Sequence, residues 1–192
     1  VAPINRMLER GVTVAIGIDE AGINDDNDIL QEMRLAQKIH REPGVGVANP
    51  SSHKIFDMAT RAGAEVTLFG NQVGTLEVGK RADIALLDLS RIAEPYLHPD
   101  TDIVDALVYR AKGVDVNTVI VDGEVLMRDR VLTRVNKEEV HAELRASLNK
   151  PLKPNELGRI ELSRQLLPHV NRWFENWELE RNPVHYFYNT RE

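Results

Sequence analysis

Apolar residues recur along the chain with different periods, and each period predicts a different element. Ile4, Met7 and Leu8 share one helical face behind Pro3, and Gly11 supplies a stop, so a short helix is predicted over Pro3 to Arg10. Val12 to Ile18, VTVAIGI, is apolar at nearly every position, the pattern of a strand covered on both faces in a parallel sheet. The polar run Asp19 to Asp28, DEAGINDDND, is too rich in turn formers to prolong that strand. Asp28 followed by Gln31 has the form of a capping box and opens a helix through Ile29, Met33, Ala36 and Ile39. A loop holding Pro43, Gly44, Gly46 and Pro50 leads to another helix. Ser51 or Ser52 caps it, Ile55, Phe56 and Ala59 form its apolar face, and Gly63 is its expected stop.

After Gly70 the pattern shortens. Gly74 to Lys80 is turn-rich, and Ala82 to Leu89, ADIALLDL, reads as a buried strand. Asp102 to Ala111 presents Ile103, Ala106, Leu107 and the aliphatic stem of Arg110 on one helical face. Val116 to Val121 and Glu124 to Arg128 are extended runs joined by Asp122-Gly123, a strong hairpin signal. Asn136 or Lys137 opens a further helix bounded by Pro151, and 151–158 reads as a connector. The remainder, to about Glu180, is a charged amphipathic helix or helix pair with a break at Pro168, ending in the aromatic tail His185-Tyr186-Phe187-Tyr188. The first third therefore reads as βα units of a parallel sheet and the middle as antiparallel β.

Composition narrows the function. The 192 residues carry 24 Lys+Arg against 30 Asp+Glu, a net charge of −6, and 42% hydrophobic residues, which fits a globular protein. The absence of cysteine excludes disulfide scaffolds, zinc ribbons, iron–sulfur clusters and thiol nucleophiles. An acidic balance argues against a nucleic-acid partner, which demands clustered Lys and Arg. No run approaches the roughly 20 apolar residues of a spanning helix and no leader pattern opens the chain, so the expectation is a cytoplasmic protein without membrane contact.

The most informative position is Asp19, directly after the buried run. Parallel α/β folds and barrels place their chemistry at the C-terminal ends of strands, where a carboxylate can ligate a metal or take a proton from a nucleophilic water. The alternative is a loop aspartate bonded to nearby backbone. The acidic cluster of Glu20, Asp25, Asp26 and Asp28 fails the calcium-loop template, because the glycine required at the sixth position counted from Asp19 is Asn24. The histidines His40, His53, His98, His141, His169 and His185 form neither HxH nor HExxH, so no self-contained zinc site can be written. Gly44-Val-Gly46 lacks the third glycine of a dinucleotide loop.

Three segments together resemble the C-terminal part of the amidohydrolase superfamily, in its cytosine deaminase-like and triazine hydrolase-like branch. Pro3 to Leu8 with Gly11-Val12 and Val14 to Asp19 is similar to the last barrel helix and strand with its catalytic aspartate. Asp28 to Arg34 resembles the helix that follows, and Ala59-Thr60, Gly63-Ala64 and Gly74 to Ile84 resemble the crossing from barrel to β-sandwich, which Val119 to Val125 continues.

The resemblance implies an α/β fold: the C-terminal segment of a metal-dependent (β/α)8 barrel, part of a small β-sandwich and a C-terminal helical tail. The implied division is 1–69 for the last strand and helices of an incomplete barrel, 70–135 for the sandwich portion and 136–192 for the tail. It implies a divalent metal, zinc foremost with iron or manganese as alternatives, and a small-molecule substrate whose C–N or C–halogen bond is hydrolysed. Asp19 stands at the position that both ligates metal and shuttles a proton. The family's early HxH pair and two later barrel histidines have no counterpart here. That implies a missing N-terminal barrel portion supplied in cis or in trans, no activity from these residues alone, and a homo-oligomer. Glu20-Ala21-Gly22 replaces the branch's usual small, Ser-Asn-containing stretch. The competing reading is a non-catalytic sandwich and helix module that serves assembly.

Overall fold

A computed structural model describes residues 2–19, 26–44 and 49–175. The chain divides into two compact units, 1–137 and 138–192.

In the first unit, helix α1 (Ile4–Glu9) starts behind Pro3 and ends as Gly11 turns into the left-handed region at φ 71°. Helix α2 (Ile29–Ile39) is capped by Asp28, whose carboxylate accepts from the Leu30 N–H. The cap is therefore made at the second helical position, not through Gln31. Helix α3 (Ser52–Ala59) settles the choice of cap in favour of Ser51, whose hydroxyl accepts from the Lys54 N–H. Gly63 does not stop this helix. The break falls at Thr60, where the hydroxyl bonds back to the Phe56 carbonyl and φ and ψ reach −121° and −90°; helix α4 (Arg61–Val66) then runs through Gly63.

Strand β1 (Ile84–Leu87), helix α5 (Leu89–Ala93), helix α6 (Ile103–Arg110), and strands β2 (Val116–Val121), β3 (Glu124–Arg128) and β4 (Val131–Leu132) complete this unit. The four strands form an antiparallel sheet in sequence order. Ile84 pairs with Ile120 and Leu86 with Thr118, and a register shift follows before Leu87. The predicted hairpin is present: Asp122 and Gly123 take φ of 50° and 80°, as a two-residue turn between twisted strands requires. The expected buried strand, by contrast, is an edge. Among the described residues β1 pairs only with β2, Leu86 is 51% exposed, and the segment ends at Asp88, which caps α5.

The core sits among the helices. Ile4 of α1, Leu30 and Met33 of α2, Ile55 and Met58 of α3, Ile92 of α5 and Ala106 and Val108 of α6 are buried together, with Ala111. In α6 the inward face is Ala106 and Val108, whereas Ile103 is half exposed and the Arg110 guanidinium reaches the Tyr96 carbonyl.

Val12 to Ile18 differs from expectation. The segment carries no sheet ladder among the described residues, although Val14 and Ile16 pack against the helical core. Its backbone is tied at Val12, whose N–H donates to the Met7 carbonyl, and at Ile16, whose N–H donates to the Met58 carbonyl. A run apolar on both faces needs strands on both sides, and none of the four described strands lies beside it.

The second unit contains helices α7 (Lys137–Leu148) and α8 (Pro154–Glu175). Proline at the first position of α8 shortens the expected connector, since the missing N–H is one the helix does not use there. Pro168 lies inside α8 and does not break it. It removes one N–H of a 22-residue helix otherwise rich in Leu, Glu and Arg, whose propensity carries the helix past it. No residue of either helix is buried. The aromatic tail 185–188 lies outside the described residues. Among the described residues no helix is long and apolar enough to cross a membrane.

Candidate functional site

Asp19 ends the apolar segment and is exposed, with φ at 64°. Aspartate is one of the few residues that tolerates this left-handed conformation, and there it stops the extension and turns the chain. Behind it the segment is fixed at Ile16 by the bond to Met58 and half buried over Val14 to Ile16. Val14 to Gly17 border an open cavity of about 200 Å³ between α1 and α2, with Ile4, Leu35, Ala36, Ile39 and Met58 among its apolar walls. His40 also lines it, and burial lowers the pKa of its imidazole.

The other candidates separate into structural roles. Asp26 accepts from the Asp28 N–H and turns the chain into α2. Asp28 caps α2. Glu20, Gly22, Asn24 and Asp25, and the second glycine of Gly44-Val-Gly46, lie outside the described residues. His53 pairs with Asp102 at 3.1 Å on an exposed surface. Asp102 also accepts from the N–H groups of Val104 and Asp105, and the His53 bond first, then these two, hold its carboxyl below the usual range. His98 accepts from the Asp100 N–H, and His141 and His169 lie on α7 and α8. Among the described residues, no three His, Cys, Asp or Glu side chains gather as a metal site.

Sequence reading missed two features. One is a cleft of about 300 Å³ where the end of α2 faces α3 and α6, with Lys38, Arg41, Ser51, Asp105 and Tyr109 around it. No local motif marks it, because its residues come from three elements. The other is a second bond of the Asp28 carboxylate, to the N–H of Gly113 at 2.7 Å. A partner 85 residues away leaves no trace in a capping motif.

The amidohydrolase family profile matches residues 1–126, and the chain belongs to that family. It is 37% identical over 143 residues to a 5-methylthioadenosine/S-adenosylhomocysteine deaminase of Caldanaerobacter subterraneus subsp. tengcongensis, covering 74% of this chain and 32% of that protein. It is 41% identical over 133 residues to the S-triazine hydrolase of Gordonia rubripertincta, covering 69% and 27%. Among solved structures, it resembles the zinc complex of atrazine chlorohydrolase TrzN from Arthrobacter aurescens TC1 at a TM-score of 0.69 and 30% identity, covering 76% of this chain and 32% of that one. A zinc-bound adenosine deaminase from Xanthomonas campestris gives 0.66 and 27%, covering 76% and 32%. The chain spans about a third of the length of such curated relatives.

Proposed function

We propose that this chain is the C-terminal portion of a metal-dependent amidohydrolase that cleaves a C–N or C–halogen bond of a small substrate, with Asp19 as metal ligand and proton carrier. The observation that carries the reading is the setting of Asp19: an exposed carboxylate in a left-handed turn, at the C-terminal end of an apolar segment fixed to the helical core. A residue that served only the core would not stand at that rim. Relatives named as deaminases and as a triazine hydrolase, and zinc in two similar structures, support the chemistry.

The donor set fits part of a zinc site. A carboxylate oxygen is an accepted ligand, but zinc takes about four, and no further cluster stands among the described residues. The remaining ligands therefore come from outside them. When bound, the ion supplies the Lewis acidity that brings water's pKa to about 7. Asp19 then receives the proton lost by the attacking water and delivers it to the departing amine, and its exposed position lets it face both.

In this reading residues 1–69 are the closing strand and helices of a (β/α)8 barrel, 70–135 the sandwich portion and 136–192 a helical tail. The missing N-terminal portion, in cis or in trans, pairs along Val12 to Ile18, which carries no sheet ladder among the described residues. The chain alone is inactive, and the complete enzyme is a homo-oligomer.

The test is zinc content and ammonia release by the intact protein on 5-methylthioadenosine, S-adenosylhomocysteine and 5'-deoxyadenosine, with chloride release from a chlorotriazine. The Asp19→Asn change keeps the shape and removes the proton acceptor, so kcat should fall about 10²–10⁴-fold. Unchanged turnover sinks the role of Asp19. An intact protein without zinc or turnover favours the assembly module.

A further inference from the structure

Helix α8 presents apolar side chains in a pattern, yet none of its 22 residues is buried. At about 100° per residue, Ile160, Leu167 and Val170 fall on one side, with Leu166 beside them and the small Ser163 between. Positions 160, 163, 167 and 170 follow the alternating steps of three and four that a seam between two helices uses. The four apolar side chains of this face are 39–58% exposed. A contiguous apolar face of that kind marks a contact with another surface.

The opposite side is polar. Glu161, Gln165, Pro168 and Arg172 share one narrow arc there, and the Gln165 amide donates to the Glu161 carboxylate at 2.9 Å. Pro168 identifies this side as the wet one independently of polarity. An internal proline leaves the carbonyl four residues before it, that of Arg164, without its usual donor. Facing solvent, that carbonyl is served by water; inside a packed interface it would be stranded. The side that packs is therefore the one with Leu167.

Three observations select the cover. The family profile ends at residue 126, before α7 begins, so the enzyme body common to the family is specified without α8. Charge permits self-association: the chain carries −6, but α8 balances Glu156, Glu161 and Glu175 against Arg159, Arg164 and Arg172, and two copies of it meet without net repulsion. Size agrees as well. A standard interface takes about 20–30 residues from each partner; α8 offers 22, and α7, likewise unburied, precedes it with 12 more.

We propose that α8 is a self-association surface, whose face of Ile160, Leu167 and Val170 packs on the same face of α8 in a second copy of the chain about a twofold axis. The inference rests on the homo-oligomer assigned above and names its interface. Each copy covers the apolar side chains of the other and leaves Pro168 and the Glu161–Gln165 pair in water.

The test is sedimentation equilibrium of the intact protein, comparing the parent with Leu167→Lys on the apolar face and Gln165→Lys on the wet side. Both residues are exposed, and lysine is a good helix former, so α8 should keep its helix content by circular dichroism. The parent should be a dimer or a multiple of one. Leu167→Lys should raise the dissociation constant about 30-fold or more, the effect of losing a central interface residue, whereas Gln165→Lys should change it less than about threefold. Leu167→Met, apolar and similar in volume, should associate as the parent does. An oligomer with the same mass and dissociation constant in Leu167→Lys as in the parent overturns this interface and leaves the homo-oligomer reading standing. Equal weakening by Gln165→Lys overturns the choice of face. A monomeric parent overturns both readings, the face then being covered by its own chain or by a different protein.

Discussion

Gly74 offers the sharpest test of how the turn-rich crossing packs on the helical layer. It adopts φ 96°, and a Cβ built there would lie 2.7 Å from the Ala64 Cβ and 3.2 Å from the Arg61 Cα, both on α4. Carbon atoms in contact prefer about 3.5–4.0 Å, so an alanine methyl falls short of its space by about 1 Å. Two costs then add in Gly74→Ala: about 1–3 kcal/mol for a side chain in a glycine conformation, and about 1–3 kcal/mol for overpacking. Gly79 separates them. It has the same φ of 96°, but a Cβ there meets nothing within 4 Å, so Gly79→Ala should carry only the first cost. Urea unfolding of the intact protein at constant m measures both, and the gap should be about 1–3 kcal/mol. Removing the opposing methyl with Ala64→Gly costs about 1 kcal/mol by itself as a helix glycine, yet should recover part of the Gly74→Ala loss in the double variant. Equal losses at Gly74 and Gly79, or strict additivity with Ala64→Gly, would refute the close approach of this turn to α4.

Three further outcomes are expected. Ile55 is fully buried, so Ile55→Ala should cost about 2–5 kcal/mol in the same urea assay, and a loss below about 1 kcal/mol would move the core elsewhere. Ser51→Ala removes the acceptor for the Lys54 N–H and should cost about 1 kcal/mol, with Ser51→Asp restoring most of it. Burial opposes the ionisation of Asp57, but hydrogen bonds from Arg61 and Lys54 outweigh it and hold the carboxyl below its ordinary range. A depressed folded pKa stabilises fully above the unfolded value of about 4 and is lost as pH falls through the folded value. Urea midpoints between pH 6 and 2 should therefore decline less steeply in Arg61→Gln than in the parent; parallel curves would remove Asp57 from the acid response.

What the sequence conveyed depends on how local each cause is. The Asp122-Gly123 hairpin was legible because two adjacent residues with positive φ determine it, and the ends of α1 and α2 because a proline, a glycine and a capping carboxylate act within one turn. The end of α3 was misplaced because two features competed. Gly63 carries a general tendency to stop a helix, whereas Thr60 stops this one by a specific bond to the Phe56 carbonyl. Pro168 shows the converse, a local breaker outweighed by the propensity of its neighbours. Edge or centre in a sheet is not local at all. ADIALLDL reads the same in either place; among the described residues β1 pairs with β2 alone, and the exposure of Leu86 shows that it faces outward.

Val12 to Ile18 and Asp19 divide along the same line. An all-apolar run reports the environment its side chains suit, which is cover on both faces; it cannot report whether the covering strands are at hand. The helical core supplies part of that cover, packing against Val14 and Ile16, while Val14 to Gly17 also line the open cavity between α1 and α2. The abrupt change of polarity at Asp19 was legible in the sequence, and there the structure has an exposed residue at φ 64°. The second bond of Asp28 was not, because it depends on Gly113, in a turn before β2, returning to the start of α2. A change of polarity at the end of an apolar run thus shows in the local sequence, while a contact made across 85 residues stays hidden until the chain has folded back on itself.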